Sequence, residues 1–379
     1  MVSIQPMVHR KWLFLLTVML LLFLPMRVGA EVPEAEELFQ KLLESFQTVD
    51  FEGKLTLISP IPGGDTMCEA LVIRKAPDKQ RIEFTWPPEI RGTGMALNGK
   101  GRWHIRDRRD RERRLSPPPP RAMDEFLLLK NVQLLLQNYD VQVLDGGHVA
   151  GRSTYLLEIR PKATGRPSRK VWIDAEMGVI LKMEHYNSQK RLEQLFAYSE
   201  INFKPEIDEA DFRSPQEIQD RERPPKERGR EELWNYNQGE PDVERIRKEA
   251  QLDIIFPDQA PAGFILQSID VLKFGKLKNV HLKYTDGLAV LSVFQSSSDR
   301  RGPGRIPEGR PGAGRGDRPP WRGSSAEKIS IDGIECEIIS RGPMFIFRWN
   351  YRGIYFNLMG ELGREEMAEI VSSFVRKEG

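Results

Sequence analysis

Histidines are the first residues to test for metal binding or acid–base chemistry. Those that follow residue 30 are His104, His148, His185 and His281. No two of them lie at the short spacing by which paired histidines bind zinc. HExxH, GxSxG, Walker and CxxC motifs are also missing from the sequence. An S-x-x-K match from Ser325 to Lys328 borders a Gly/Ser/Arg-rich stretch, in which a catalytic serine would not be held rigidly. The sequence therefore predicts a binding protein, not an enzyme, with no catalytic residue, metal site or cofactor.

Two arginine-rich stretches could bind anions. Residues 106–121 interleave Arg with acidic residues and end in four prolines, which is typical either of a loop that binds lipid phosphate or of a solvated hairpin tip. Residues 299–325 are rich in Arg, Gly and Pro, and we expect a disordered insert. An RGG-like nucleic-acid segment is the alternative there. An exported protein without any other nucleic-acid feature favours the insert, so no nucleic-acid partner is predicted.

Residues 1–30 have the layout of a secretory signal peptide. Basic residues precede an apolar run of Trp12–Leu24, and small residues end at Ala30. The alternative is an uncleaved anchor, but the run is short for a membrane span, which needs about 20 apolar residues. Cleavage after Ala30 would leave 54 basic and 55 acidic residues. We therefore expect a nearly neutral exported protein without a global field that attracts nucleic acid.

The chain has two cysteines, Cys68 and Cys336. Export permits a disulfide between them, while two buried thiols on separate strands fit the sequence equally well. The spacing leaves both alternatives open.

The stretch 138–203 carries the clearest fold signal. Apolar residues alternate with polar ones, and turn residues such as Gly146-Gly147 and Thr164-Gly165 interrupt the pattern every 10 to 14 residues or so. This pattern predicts an antiparallel meander with one buried face. Upstream, Asn98-Gly99 indicates a two-residue hairpin between two further strands.

Helices should cover this sheet. Pro33 and the acids after it predict a helix start, followed by an apolar face of Leu38, Phe39, Leu42, Leu43 and Phe46. Residues 123–139 read as a second, strongly apolar helix. The candidate lipid-binding residues lie on the strands and on this helix: Phe51, Leu55, Leu57, Ile82, Phe84, Trp86, Phe126 and Leu129. Each could equally be an ordinary core residue, because an apolar strand face serves either purpose.

Three segments resemble the N-terminal domain of the MucB/RseB family of periplasmic sigma-E regulators. They are His148–Pro161 (HVAGRSTYLLEIRP), Val171–Glu184 (VWIDAEMGVILKME) and Arg191–Ile201 (RLEQLFAYSEI). Through that family they are similar to the lipoprotein carrier LolA. After a charged stretch, Tyr284–Phe294 (YTDGLAVLSVF) resembles a signature of the family's C-terminal domain. The long Arg-rich stretches depart from the family pattern.

The resemblance implies a mostly β (α+β) fold in two domains. Residues 31–213 would form a LolA-like curved antiparallel sheet, an incomplete barrel with covering helices. Residues 214–250 would be a charged linker. Residues 251–379 would form a smaller antiparallel β domain with a terminal amphipathic helix and the insert at 299–325.

The resemblance also implies a function, in which the first domain senses an acylated lipoprotein or lipid in an apolar groove. The second would hold the periplasmic domain of an anti-sigma factor and so regulate envelope-stress signalling. The alternative is a LolA-like carrier of lipoprotein or lipid, although simple carriers resemble only the first domain. A purely structural scaffold would bind no apolar ligand. Oligomeric state, including a homo-oligomer, stays open.

Overall fold

The alternating strand patterns build two open antiparallel sheets. The computed structural model describes residues 32–61, 64–99, 102–105, 132–213, 243–274, 277–297, 326–341 and 344–375. Both sheets belong to the compact unit that begins at Glu34. Each sheet packs its apolar face into a core of its own.

The N-terminal sheet has ten strands. They are β1 (Phe51–Ile61), β2 (Gly64–Lys75), β3 (Lys79–Trp86), β4 (Gly94–Asn98), β5 (Arg102–Ile105), β6 (Tyr139–Val149), β7 (Arg152–Pro161), β8 (Ser168–Asp174), β9 (Ile180–Tyr186) and β10 (Leu192–Asn202). Their order in the sheet is β5-β4-β3-β2-β1-β10-β9-β8-β7-β6. The predicted meander is therefore β6 to β10, and the pairing of β10 with β1 joins it to the first five strands.

This sheet curls around a helix without closing. Helix α1 (Ala35–Thr48) buries Leu38, Phe39 and Leu42 against the sheet, and each such side chain contributes about 2 kcal/mol of apolar transfer free energy. Edge strand β6 comes back into contact with β10, from which three strands separate it in the sheet. Where β6 turns into β7, the guanidinium of Arg152 lies 5.1 Å from the ring centre of Phe203. The result is a half-barrel with α1 inside its curve.

The C-terminal sheet has seven strands. They are β11 (Ile265–Phe274), β12 (Leu277–Thr285), β13 (Val290–Ser297), β14 (Glu327–Ile331), β15 (Ile334–Arg341), β16 (Met344–Tyr351) and β17 (Ile354–Gly360), in the sheet order β11-β12-β13-β17-β16-β15-β14. Aromatic rings fill its core, where Trp349 and Phe356 stack with centroids 4.7 Å apart. Stacked rings of this kind fix the packing as well as burying apolar area.

Three further helices complete the described chain. Helix α2 (Val132–Asn138) leads directly into β6, while α3 (Val243–Ala250) and α4 (Arg364–Phe374) pack on the C-terminal core. A short 3-10 helix (Glu209–Phe212) follows β10. Helix α3 lies inside the span 214–250 that the sequence predicts as a linker, because Ile246 and Ala250 give it a buried face.

The predicted fold class is confirmed: the protein is mostly β, with an open curved antiparallel sheet, a second antiparallel sheet and a C-terminal helix. The predicted helix over 123–139 differs at its end, because Tyr139 already pairs with Pro161 as the first residue of β6. Residues 123–131 lie outside the described chain, as do the predicted signal peptide, both arginine-rich stretches and most of the predicted linker. Cys68 and Cys336 are separate buried thiols. Burial raises the pKa of both, that of Cys336 to about 11.

Candidate functional site

Five of the predicted lipid-binding residues lie together in the core of the half-barrel. They are Phe51, Leu55, Leu57, Ile82 and Phe84, and each is at most 5% exposed. Helix α1 fills the concave side of the sheet above them with Leu38, Phe39 and Leu42. The strand pattern thus identified one continuous apolar surface, which the protein covers with its own helix.

The other three predicted residues are not part of this cluster in the described structure. Trp86, which the alternation along β3 groups with Ile82 and Phe84, is 42% exposed and lies outside the buried cluster. A β-bulge between Glu69 and Ala70 shifts the pairing of β2 with β3, and Trp86 pairs with Glu69 beyond it. An extra residue in a strand breaks the alternation that the prediction assumed. Phe126 and Leu129 lie outside the described residues.

Polar contacts hold α1 over the apolar core. Ser45 Oγ donates to the carbonyl of Gly178 (2.9 Å), in the turn between β8 and β9. From the other side, buried Arg74 on β2 donates to the carbonyl of Phe46 at 2.7 Å. Burial lowers the pKa of Arg74, an effect that nearby acids partly offset. Any ligand of the apolar core must therefore move α1 or enter at an end of the half-barrel.

One end of the half-barrel meets the C-terminal sheet through a buried polar cluster. We call Tyr139, Arg166, Asp286 and Glu366 the junction cluster. Asp286 Oδ2 accepts hydrogen bonds from Tyr139 Oη (2.8 Å) and Arg166 Nη1 (3.1 Å). Arg166 Nη2 also donates to Glu366 Oε1 at 3.0 Å. One arginine of the N-terminal sheet thus holds two carboxylates from the C-terminal half of the chain.

Burial dominates the electrostatics of the junction cluster. The side chains of Arg166 and Asp286 are 3% and 0% exposed. Desolvation raises the pKa of Asp286 and of Glu366 above the ordinary carboxyl values, although Arg166 opposes the effect on both. Desolvation, together with the neighbouring Asp286, also raises the pKa of the Tyr139 hydroxyl, which stays a hydrogen-bond donor. Removing the side chain of either Arg166 or Asp286 would leave the other one as an uncompensated charge in a low-dielectric site.

Backbone contacts accompany the cluster. The side-chain amide of Asn138 donates to the carbonyls of Gly263 (2.8 Å) and Asp286 (3.0 Å). The N–H of Gly363 donates to the carbonyl of Gly165 at 2.7 Å. Gly363 is the N-cap of α4 and has no side-chain cap, so a loop of the N-terminal sheet satisfies the start of the last helix.

A histidine adds a second polar contact between the halves. His185 Nδ1 accepts from Arg169 Nε at 3.2 Å, and its Nε2 lies 2.8 Å from Glu361 Oε2 without the alignment of a hydrogen bond. His185 and Arg169 are buried on the half-barrel, whereas Glu361 follows β17. His185 therefore contributes to the contact between the two halves, and its described neighbours do not form a zinc ligand set.

Sequence reasoning missed the junction cluster. The sequence places Asp286 within the family-like segment Tyr284–Phe294, but its hydrogen-bond partners Tyr139 and Arg166 lie about 120 to 150 positions away in the chain. The available signal was the pair Arg166-Pro167 at the end of the loop between β7 and β8, where a solvated residue would have sufficed. From this signal alone, the residues that bind Arg166 cannot be inferred.

Other chemistry finds little support in the part of the chain that the structure describes. There, no group of three or more His, Cys, Asp or Glu is arranged to hold a metal ion. His281 stacks on Phe294, and burial lowers its pKa to about 4, so its imidazole is neutral at pH 7. Over the same described ranges, every helix is too short or too polar to cross a bilayer.

Comparison with known families matches two segments of the chain. Residues 96–216 match the MucB/RseB N-terminal domain, and residues 321–374 match a domain of unknown function, DUF4367. Among curated proteins, no sequence matches the chain.

Solved structures are similar to the chain over most of its length. MucB in complex with MucA(peri) has a TM-score of 0.54 and 16% identity, and covers 91% of this chain and 100% of that one. At this identity the likeness concerns the fold. The MucA/MucB complex of Pseudomonas aeruginosa has a TM-score of 0.49 and 16% identity, over 92% and 100% of the two chains. A LolA superfamily protein from Nitrosomonas europaea has a TM-score of 0.25 and 14% identity, over 48% and 99%. Over residues 96–216, this chain is therefore similar to the MucB/RseB N-terminal domain.

Proposed function

We propose that this protein is a non-enzymatic periplasmic regulator of envelope-stress (sigma-E) signalling that binds the periplasmic segment of a membrane-bound anti-sigma factor. The observation that carries the proposal is the shared fold with MucB in complex with MucA(peri), over 91% of this chain, together with the family match. Both halves of the chain take part in that likeness. The division into domains at 31–213 and 251–379 is part of the proposal.

The proposal includes a sensor for an acylated lipoprotein or lipid in the N-terminal half. The support is the apolar core of the half-barrel, in which α1 covers Leu55, Leu57 and Phe84. An acyl chain gains about 0.8 kcal/mol for each methylene that it buries. Such a ligand would compete with α1, or with whatever fills an end of the half-barrel, for the same apolar surface.

Regulation then follows from linkage. A ligand shifts a conformational equilibrium only by its differential affinity for the two states. A lipid that binds the half-barrel changes anti-sigma binding in the other half only if the two halves are coupled. The junction cluster is the part of the structure through which such coupling can act, because its four side chains connect the half-barrel to β12–β13 and to α4.

Titration calorimetry with the periplasmic segment of the anti-sigma factor encoded in the same genome tests the regulator. The protein is the chain after Ala30, and a peptide of the same composition in scrambled order is the control. We expect saturable binding of the native segment alone. A chain that is folded by circular dichroism and ignores the segment would contradict the proposal.

Native mass spectrometry of the protein from a periplasmic fraction tests the sensor. Copurifying acyl-chain lipids would support ligand binding in the half-barrel. If the protein has the mass of the ligand-free chain, and this mass stays unchanged when diacyl lipopeptide is added, both the sensor proposal and the carrier alternative are contradicted. Lipid binding without anti-sigma binding would favour a LolA-like carrier instead.

A further inference from the structure

The turn between β12 and β13 places neighbouring side chains in two different cores. Ala289 belongs to the C-terminal core with Tyr284 and Leu291. Leu288, only 5% exposed, belongs to the core of the half-barrel. A leucine of this turn is thus part of the hydrophobic core of the N-terminal half.

The local sequence forces the turn into this position. Gly287 has a φ of +100°, and a Cβ atom there would lie 2.6 Å from the backbone nitrogen of Leu135 in α2. Only glycine allows both that conformation and that approach. Asp286 Oδ1 accepts from the N–H groups of Leu288 (3.0 Å) and Ala289 (2.7 Å), which fixes the direction of the Leu288 side chain.

The same turn carries the anchor of the junction cluster. While Asp286 Oδ1 holds the turn, its Oδ2 binds Tyr139 and Arg166. Because one side chain makes both sets of hydrogen bonds, Leu288 cannot leave the half-barrel without straining or breaking the contacts of Asp286. The packing of Leu288 in the half-barrel core and the hydrogen bonds of the junction cluster therefore form and break together.

Leu38, Phe39 and Leu42 of α1 already pack into the core of the half-barrel, so an acyl chain that enters the same core has to displace side chains that lie there. At least one side chain must therefore leave the half-barrel core before an acyl chain can enter it. The strands and α1 are fixed by the ladder and by Ser45 and Arg74. Leu288 is attached from outside the half-barrel, by a turn that belongs to another sheet.

We propose that Leu288 is a plug that competes with an acyl chain for the interior of the half-barrel, so that acyl binding expels the β12–β13 turn and separates the two sheets. This inference rests on the proposed function and specifies how the sensor is coupled to the partner-binding half. Linkage makes the effect reciprocal: a partner that holds the turn in place weakens acyl binding by the same factor.

The first test titrates the full chain after Ala30 with dansyl-undecanoic acid, a fluorescent acyl probe, and compares Leu288→Ala with the wild type. Shortening the plug raises the fraction of molecules that can accept the probe, so we expect about tenfold tighter binding. Leu266→Ala is the matched control: Leu266 is a half-buried leucine that packs against the C-terminal core, and its loss should leave probe affinity unchanged.

A second variant guards against misfolding of the first. Gly287→Ala keeps Leu288 but drives the turn away from Leu135, so it should also tighten probe binding while thermal unfolding stays cooperative. The plug is overturned if folded Leu288→Ala and Gly287→Ala bind the probe no more tightly than Leu266→Ala. It is equally overturned if none of the proteins binds the probe.

Hydrogen exchange provides the direct readout of separation. The N–H of Gly363 donates to Gly165 across the two sheets, so its exchange reports their opening. Saturating probe should speed exchange at Gly363 about tenfold in the wild type, and unchanged exchange would overturn the coupling. Anti-sigma peptide is titrated separately. Its failure to bind removes the proposed function but leaves the probe and exchange results to decide the plug.

Discussion

Two arginine–aspartate pairs in this protein have the same local hydrogen-bond pattern, but one lies within the N-terminal sheet and the other connects the two sheets. Asp174 ends β8 inside the half-barrel, and its Oδ1 accepts from the N–H groups of Glu176 (2.9 Å) and Met177 (2.8 Å). Asp286 holds its own turn through Oδ1 in the same way. Both aspartates are fully buried, and each faces an arginine: Arg152 within the sheet, Arg166 between the sheets.

Their pKa values nevertheless move in opposite directions. Burial raises the pKa of Asp174, but Arg152, bound through two nitrogens, and the two backbone N–H groups outweigh it, so the net pKa is lowered. For Asp286 burial prevails and the pKa is raised. Arg166 gives Asp286 one hydrogen bond and divides its remaining donors between Glu366 and the carbonyl of Ala262. The pair within the sheet is thus stabilised in its charged form, whereas burial disfavours the charged form of Asp286 in the pair between the sheets.

The largest effect should come from Asp286→Ala. The substitution leaves Arg166, whose side chain is 3% exposed, short of an acceptor, and it releases the turn that seats Leu288. We expect a loss of about 3 kcal/mol in the free energy of unfolding, within the range for breaking a buried ion pair. Urea unfolding followed by tryptophan fluorescence measures it. A loss below about 1 kcal/mol, the value of an ordinary neutral hydrogen bond, would show that the junction is not a buried ionic contact.

Asp174→Ala sharpens the comparison and should cost less. Arg152 is 31% exposed, so water solvates its charge once the partner is gone. We expect a loss of about 2 kcal/mol, from hydrogen bonds to a charged group. Hydrogen exchange should show loosening confined to the β6–β7 and β8–β9 turns. Faster exchange at Gly363 in this variant would contradict the division into a local pair and a junction pair.

Tyr139→Phe removes one hydrogen bond from Asp286 and leaves the arginine in place. Without the phenol donor the carboxylate keeps Arg166 and two backbone N–H groups, so we expect a loss of about 1 kcal/mol. Tyr155→Phe, a half-buried tyrosine of β7 that packs on the same core, is the control. Equal urea midpoints for the two variants would mean that the Tyr139 hydroxyl contributes nothing to the junction.

The smallest and most specific difference lies in the pH dependence of stability. The lowered pKa of Asp174 contributes stability that is present above its unfolded pKa and is lost as the pH falls through the folded value. The raised pKa of Asp286 has the opposite sign: its contribution is present below the unfolded pKa and is lost as the pH rises through the folded value.

Urea midpoints at several pH values between about 3 and 7 separate the two contributions. Relative to the wild type, Asp174→Asn should flatten the loss of stability on the acid side. Asp286→Asn should instead remove a decline that sets in as the pH rises. The same change in pH dependence for both variants would mean that the two carboxyl groups are perturbed alike.

Much of the fold could be predicted from the sequence because its signals are local. Period-two alternation located the meander, and both Asn98-Gly99 and Asp286-Gly287 mark tight turns where strands reverse. Five of the predicted apolar residues also share a core, since residues on one strand face must point the same way. The exposure of Trp86 was not predicted because the irregularity in β3, where Thr85 is an extra residue opposite the step from Glu69 to Ala70, leaves no sign in the alternation of residue types.

The junction could not be predicted in the same way. Its hydrogen bonds join Asp286 to Tyr139 and Arg166, and neither periodicity nor turn chemistry relates positions so far apart. Leu288 reads as one apolar residue after a hairpin, and nothing near it in the sequence says that its core lies in the other sheet. What the sequence does supply is the turn itself, through Asp286 and Gly287.

The hydrogen bond from Gly363 to Gly165 has a consequence for the way the chain is assembled. The last helix begins without a cap of its own and borrows a carbonyl from a loop made long before it. The start of the last helix therefore depends on a carbonyl that the folded half-barrel supplies. In a molecule whose N-terminal half is misassembled, the final helix lacks this acceptor, so we expect its first turn to fray and to become more sensitive to proteolysis.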